Sequence, residues 1–445
     1  MGILSGLAGT KHGGGGTMRI RFGTLVGLAL AALAVVAVAS KAQEKDAQQK
    51  FLEQLTKNRY ALTLESGKVS GPGMNVLSEA TSDAEFVLVG EDHGIRQIPQ
   101  FMGTVFEMLA PRGFHTLAIE TGPSVTPPLA AFASQPDGAW RMKEFDQKYP
   151  DSVAFYEWQE EFAFLQRCAR ATKHGKVDLW GLDQEFMGAT GYLLSKILDE
   201  KLGQDAKAAA ERMMKENDDS YAAAAKTGDP TGLFMMAAKD EELASFAELL
   251  KKQGTSPAQN MLASLVLSRD IYKKNMGNEG HASNRERSLL MKENFKQAYT
   301  AARTTSDLMP KVMFKFGAYH MYRGFNKLRI DDIGDLVAEL ADWNATKSVH
   351  ILIVGVKGTQ LGFAGIGKPY AEMPLDLKAD KRGDFSFLAP MFDDMLQGSW
   401  TLYDLRPFRS HFSSYEVADT EMERMIFGYD FLVLVPDPEA SHEMP

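Results

Sequence analysis

Four short apolar runs that each end in charge set the strongest constraint on how this chain can fold. Phe86-Val87-Leu88-Val89-Gly90 leads into Glu91-Asp92-His93-Gly94, and Phe114-His115-Thr116-Leu117-Ala118-Ile119 ends at Glu120. Val177-Asp178-Leu179-Trp180-Gly181-Leu182 ends at Asp183 and Glu185, and Val312-Met313-Phe314-Lys315-Phe316-Gly317 stops just before His320 and Arg323. Nearly continuous apolar runs suit strands buried on both faces, as in parallel sheets. Ionisable groups so close to a core are costly to keep, and a plain strand-to-helix turn needs only a glycine and a cap. In an open parallel sheet the carboxyl ends of the strands share one edge, so these distant residues are expected to meet in one crevice.

From Glu85 onward, β-rich runs alternate with helical patterns: a strand near 86–90, a helix near 98–110 and a strand near 114–120. This is the βαβ signature of a mostly parallel sheet covered by helices. Further strands are expected near 177–182, 312–317, 350–356, 400–405 and 431–435. Between Gly188 and Arg303 the strand signal vanishes, Ala, Lys, Glu, Met and Leu dominate, and Asp229-Pro230 and Gly254-Thr255-Ser256-Pro257 break the helices. The expected fold class is therefore α/β: a mostly parallel central sheet flanked by helices in a single domain over 43–445, with a large helical insertion at about 188–303 capping the C-terminal edge of the sheet. The last residues, with Pro436, Pro438 and Pro445, read as a loose tail.

A chain of 445 residues with 44% hydrophobic content can bury a substantial core. Its net charge of −9 is spread along the chain with no basic, aromatic-laced face, which argues against nucleic acid as a partner and leaves a small-molecule substrate. Arg19 and Arg21, the apolar stretch Leu25 to Ala39 and the small residues of Ser40-Lys41-Ala42 have the form of a signal peptide. Export to the periplasm or beyond, with cleavage after Ala42, is expected, and the residues before Met18 look like a non-structural extension. An uncleaved anchor is the alternative, since the apolar stretch is near the short end for a membrane span, and no membrane contact beyond the signal segment is expected. Cys168 is the only cysteine, which rules out an intramolecular disulfide, and its surroundings read as a helix with a buried stripe. No Gly-x-Ser-x-Gly elbow, Walker loop, Gly-x-Gly-x-x-Gly turn or His-Glu-x-x-His pair occurs, which removes the usual serine hydrolases, nucleotide enzymes and zincins.

Among the candidates, Glu91 and His93 stand two positions apart after a strand, where the carboxylate can orient the imidazole and raise its basicity while the histidine takes a proton. The plainer alternative is that Glu91 or Asp92 caps the next helix. Gly90 and Gly94 would let the backbone bend and a ligand approach. Glu120 can position water, hold a metal or stabilise a protonated histidine, since Thr121 and Ser124 are available for capping. Asp183 and Glu185 are balanced between site and structure. His320 is a second candidate acid or base, with Arg323 as a cation for an oxyanion. Arg287, an isolated helical arginine, reads by itself as part of a solvated face. His174, His281, His350 and His411 have no partner pattern and read as structural.

The ordered set Gly90-Glu91-Asp92-His93-Gly94, Ile119-Glu120, Gly181-Leu182-Asp183, Arg287-x-x-x-Met291-x-x-Asn294 and His320 resembles the erythromycin-esterase-like and ChaN-like superfamily, related to TraB/TIKI-type hydrolases, over roughly 84–330. The resemblance implies that Glu91, His93, Glu120 and His320 converge at the sheet edge, with Arg287 lining the site, as in esterases that open a macrolide lactone by histidine-assisted attack of water. Two departures weaken the macrolide reading. Only Asp92 separates Glu91 from His93, closer to the ChaN-type and metal-dependent peptidase branches, and Gly317 stands where the esterases tend to carry a further histidine.

The expected function is an exported hydrolase that adds water to an ester or amide. His93 would be the general base, Glu91 and Glu120 would orient it and the water, Arg323 or Arg287 would steady the oxyanion and His320 would protonate the leaving group. A metal version would use Glu91, His93, Glu120 and His320 as ligands of zinc or manganese. A non-catalytic, ChaN-type alternative would hold haem or iron in the same crevice.

Overall fold

Alternate side chains of one strand, Ala84–Glu91 (β3 below), enter opposite cores: Val87 and Val89 join one apolar cluster, Phe86 and Leu88 the other. Burial on both faces is what a nearly continuous apolar strand requires. The computed structural model describes residues 45–305, 308–380, 383–410, 412–415 and 419–444, so the signal segment and His411 lie outside the described residues.

The strands are β1 (Arg59–Glu65), β2 (Lys68–Ser70), β3 (Ala84–Glu91), β4 (Phe114–Ile119), β5 (Asp178–Gly181), β6 (Lys311–Gly317), β7 (Lys347–Gly355), β8 (Lys357–Gly362), β9 (Ala371–Asp376), β10 (Trp400–Asp404) and β11 (Phe431–Val435). Nine form one sheet in the order β2-β1-β10-β11-β7-β3-β6-β4-β5, and β8 and β9 form a separate hairpin. The run from β11 to β5 is parallel throughout, while β10, β1 and β2 continue it antiparallel. The expected α/β class and mostly parallel sheet are thus what the chain adopts.

Helices cover both faces. Gln97–Leu109 and Gln159–Ala171 pack on one, while Ile333–Trp343 and Thr420–Gly428 pack on the other. Cys168 lies fully buried in the first layer, and burial pushes its thiol well above the usual range. Between β5 and β6 the chain forms only helices, chiefly Thr190–Asp199, Gln204–Thr227, Asp240–Gln253, Ser256–Met276 and Gly280–Thr305. Thr255 caps the fourth of these by accepting the Ala258 N–H, at the break legible in the sequence. The last one is bound back to the sheet by Glu85, which accepts from Tyr299 Oη at 2.8 Å and Thr346 Oγ1 at 2.5 Å. Among the described residues no helix is long and apolar enough to cross a membrane.

The C-terminal segment is not the loose tail expected from its prolines. Backbone bonds hold it across the loop after β3, from Arg96 N–H to Glu439 C=O and from Ser441 N–H to Gly94 C=O, both 2.9 Å. Beyond these, Gln159 N–H donates to His442 C=O at 2.8 Å. A proline lacks only its own donor, and the segment pairs through neighbouring residues and carbonyls.

Candidate active site

The ends of β3, β4 and β6 lie side by side, because Glu91 and Gly317 are the last paired residues of β3 and β6, and Glu120 follows the last residue of β4. Glu120 is the hub. Its Oε2 lies 3.5 Å from His93 Nε2 and its Oε1 3.5 Å from His320 Nε2. Arg287 Nη2 donates to Glu120 Oε1 at 2.7 Å, and the Gly317 N–H donates to Oε2 at 2.5 Å. Each imidazole has a carboxylate behind it: His93 Nδ1 is 2.8 Å from Glu91 Oε1, and His320 Nδ1 is 2.8 Å from Asp332 Oδ2. His93 and His320, placed far apart in sequence, thus face one carboxylate from two sides.

Arg287 reaches the site from Gly280–Thr305, one turn before buried Met291 and two before Asn294, whose Nδ2 donates to Leu182 C=O at 2.8 Å. It is not a solvated-face arginine. Its Nε and Nη2 bind Asp183 Oδ1 and Oδ2 at 2.8 and 2.5 Å, leaving Nη1 without a hydrogen bond among the described residues. Asp183 therefore belongs to the site, whereas Glu185 is structural. It accepts the Ser124 N–H at 3.0 Å beside the helix Thr126–Ala133, and burial raises its pKa to about 7. Neither Glu91 nor Asp92 caps the helix after β3, which begins at Gln97 without a side-chain cap. Burial lifts the Asp92 carboxyl to about 6.

Arg323 is not in the site. It forms a two-pronged pair with Asp430 at 3.0 and 2.5 Å and donates to Ser348 C=O at 2.9 Å. Ser348 pairs with Phe86, five positions before Glu91, which puts it about 16 Å down the strands toward their amino ends. The turn Ala318–Met321 and an extended Tyr322 carry the chain back along the sheet. Gly90 and Gly94 are also used differently from expectation. Gly94 has φ +82, and a side chain there would strike Leu361 C=O, while one at Gly90 would strike Tyr429, so protein rather than ligand makes the close approach.

Three further residues complete the site. Lys315, inside β6, is 1% exposed at its side chain, bonds Glu91 Oε1 and lies 2.9 Å from Glu161 Oε2. A lysine within an apolar strand was the visible signal, since a buried ammonium needs a carboxylate. Asp332 has the ordinary look of an N-cap and accepts the Ile333 N–H while also holding His320. Phe155 stacks on the His93 ring at 4.1 Å and 12°, with a left-handed φ of 69 that its sequence does not announce.

The charges follow from this packing. Burial opposes a charge on His93, but Glu120 and Glu91 outweigh it and push its pKa up to about 10. Burial likewise opposes charge on His320, and Asp332 and Glu120 overrule it, again upward. Burial would raise Glu120, yet His320, His93 and Arg287 hold it well below the usual carboxylate range. Glu161, raised by burial against the pull of Lys315, titrates at about 7. A pocket of about 310 Å³ opens from Glu120, Asp183 and Arg287 toward the helical insertion, with Phe155 on its wall.

The proposed metal ligands do not fit an ion. Glu91 is engaged by Lys315 and His93, and Glu120 by Arg287 and Gly317, so two cations already occupy the charge of the donor set. Among the described residues no group of three or more His, Cys, Asp or Glu is arranged to hold a metal. A haem iron fits no better, because the ring nitrogens of His93 and His320 all face carboxylates.

No protein-family model and no curated protein sequence matches the chain. Solved structures do. A mutant of the erythromycin esterase EreC in its open conformation superposes with TM-score 0.58 at 14% identity, covering 87% of this chain and 99% of that one. A Bacillus cereus protein gives 0.54 at 14% identity, over 89% and 99%, and a succinoglycan biosynthesis protein gives 0.53 at 15%, over 89% and 98%. Identities this low speak for architecture alone. The resemblance first carried by short motifs therefore extends to the backbone: this chain has the fold of an erythromycin esterase.

Proposed function

We infer that the protein is a hydrolase that adds water to a neutral ester or amide in the pocket above Glu120. The observation that carries this reading is the convergence of two carboxylate-backed imidazoles and one guanidinium on a single buried carboxylate. Neutral His93 takes a proton from water as its oxygen bonds the acyl carbon, Glu91 fixes the ring, and Glu120 holds ring and water in register. Nη1 of Arg287 faces the charge that develops on the carbonyl oxygen. His320, kept protonated by Asp332 and Glu120, gives its proton to the departing oxygen or nitrogen as that bond breaks. Neither a metal nor haem enters these steps. The shared fold with an erythromycin esterase supports acyl hydrolysis, while the replacement of a histidine by Gly317 speaks against macrolides.

Gly317 supplies a test. A Cβ there would lie 2.9 Å from His93 Nε2 and 3.3 Å from Glu120 Oε2, yet its φ of −55 suits any residue. Gly317→Ala should therefore fold normally and lose about tenfold in kcat, as expected when a reacting group is displaced by a few tenths of an ångström. The assay is a panel of neutral chromogenic esters and amides, and failure of the wild-type protein to hydrolyse any of them counts against the reading. Export with cleavage after Ala42 is proposed on the N-terminal sequence alone, and the mass of the mature protein recovered from its host checks it.

A further inference from the structure

The wall of the pocket above Glu120 differs in kind from its floor. On the floor, Arg287 is neutralised by Asp183 and Glu120. Every other side chain on the wall is neutral. Because the one cation is shared between two carboxylates, a ligand bearing a full charge gains no unneutralised partner there, and the pocket favours a neutral one.

The neutral wall is mixed in chemistry. Phe155 and Phe186 present apolar rings, while Thr121, Gln184, Tyr272 and Asn284 bring hydroxyls and amides. Two of the polar side chains are incomplete: Thr121 is 2% exposed and Gln184 8%, and Thr121 Oγ1 and Gln184 Oε1 have no hydrogen-bond partner. Buried polar atoms are normally satisfied, and orphaned ones on residues that line a pocket are candidates for a bond supplied by a ligand or water. Gln184 is further held beside Tyr272, so its amide is fixed. A lining that combines aromatic rings with several donors and acceptors matches a compact molecule with an apolar face and many hydroxyls. The volume, about 310 Å³, sits at the low end of small-ligand sites of roughly 300–1,000 Å³.

We propose that the substrate is a neutral, polyhydroxylated ester of monosaccharide size, an O-acylated sugar, held with its ring against Phe155 and Phe186 and its hydroxyls on Thr121 and Gln184. This rests on the hydrolase reading above and gives it a substrate class. Hydrolysis would break the acyl C–O bond as the water oxygen bonds the acyl carbon and becomes the hydroxyl of the acid, the water proton passing to His93 while His320 gives its own proton to the freed sugar hydroxyl.

The test compares two acetates with rings of equal size, methyl glucoside acetylated at its primary hydroxyl and cyclohexylmethyl acetate. The sugar ester should be preferred by at least about tenfold in kcat/KM, and that preference should fall by about tenfold in Gln184→Leu and in the near-isosteric Thr121→Val, the loss expected for one buried hydrogen bond. Equal rates, or preference for the cyclohexyl ester, overturn the substrate class and leave the hydrolase intact. If neither ester is cleaved, the hydrolase reading falls. Calorimetric titration with the acetylated glucoside then decides: millimolar binding weakened by both substitutions upholds the polyol site, and absence of binding overturns it.

Discussion

Replacing His93 with alanine lowers kcat/KM for any substrate the protein hydrolyses by about 10²–10⁴-fold, the usual contribution of a positioned general base. Folding is retained, because the ring is partly exposed and no backbone bond depends on it. The pH profile adds a sign that a merely structural histidine would not give. As a base, His93 works only after losing the proton that Glu120 and Glu91 hold, so kcat/KM should keep rising with pH well above the ordinary imidazole range and level off toward about 10. A plateau by pH 7 would remove His93 as the base. The stability signature runs the other way. A histidine whose folded pKa is raised contributes stability that is fully present below about 6.5 and is lost as pH climbs through about 10.

Lys315→Met should cost about 3–5 kcal/mol of folding stability, read from urea melts at pH 8, because it leaves Glu161 buried without its cation and Glu91 with His93 alone. The methionine fills the lysine's volume, so a cavity does not account for the loss. Protonation is the remedy open to the variant. Freed of the ammonium, the Glu161 carboxyl, which burial already lifts to about 7, is raised further above its unfolded value, so the variant loses stability as pH rises from about 4.5 and regains it on acidification. It should therefore melt closer to wild type at pH 5 than at pH 8. Adding Glu161→Leu should restore part of the loss, since the stranded charge is then gone. Equal destabilisation at both pH values would mean that Lys315 matters for packing rather than charge. Activity is expected to fall as well, because the oxygen of Glu91 that Lys315 binds is the one that holds His93.

Much of the site was written in the sequence because strands buried on both faces leave an unbroken apolar run, and charge at the end of such a run has few structural uses. Glu91, His93, Glu120 and His320 were legible in that way, and β3, β4 and β6 fell where the runs lie. Arg323 misled because three residues after His320 looks near, whereas the turn at Ala318–Met321 sends the chain toward the opposite edge. Lys315 was in plain view but embedded in a run read for its apolarity. The strands β1, β2, β8 and β9 gave little warning, being edge or half-exposed segments with mixed composition. Arg287 took its meaning from Asp183 and Glu120, partners 104 and 167 residues away, a pairing that no local pattern encodes.

The stretch from Pro436 to Glu443 lies across the turn that carries His93, bonded to Gly94 and Arg96, and it follows β11, which is inserted between β7 and β10. The turn that carries His93 consequently gains its brace only once a segment far along the chain has been made. A variant lacking Pro436 to Glu443 would retain Glu91, His93, Glu120 and His320 and lack the splint that keeps one of them still.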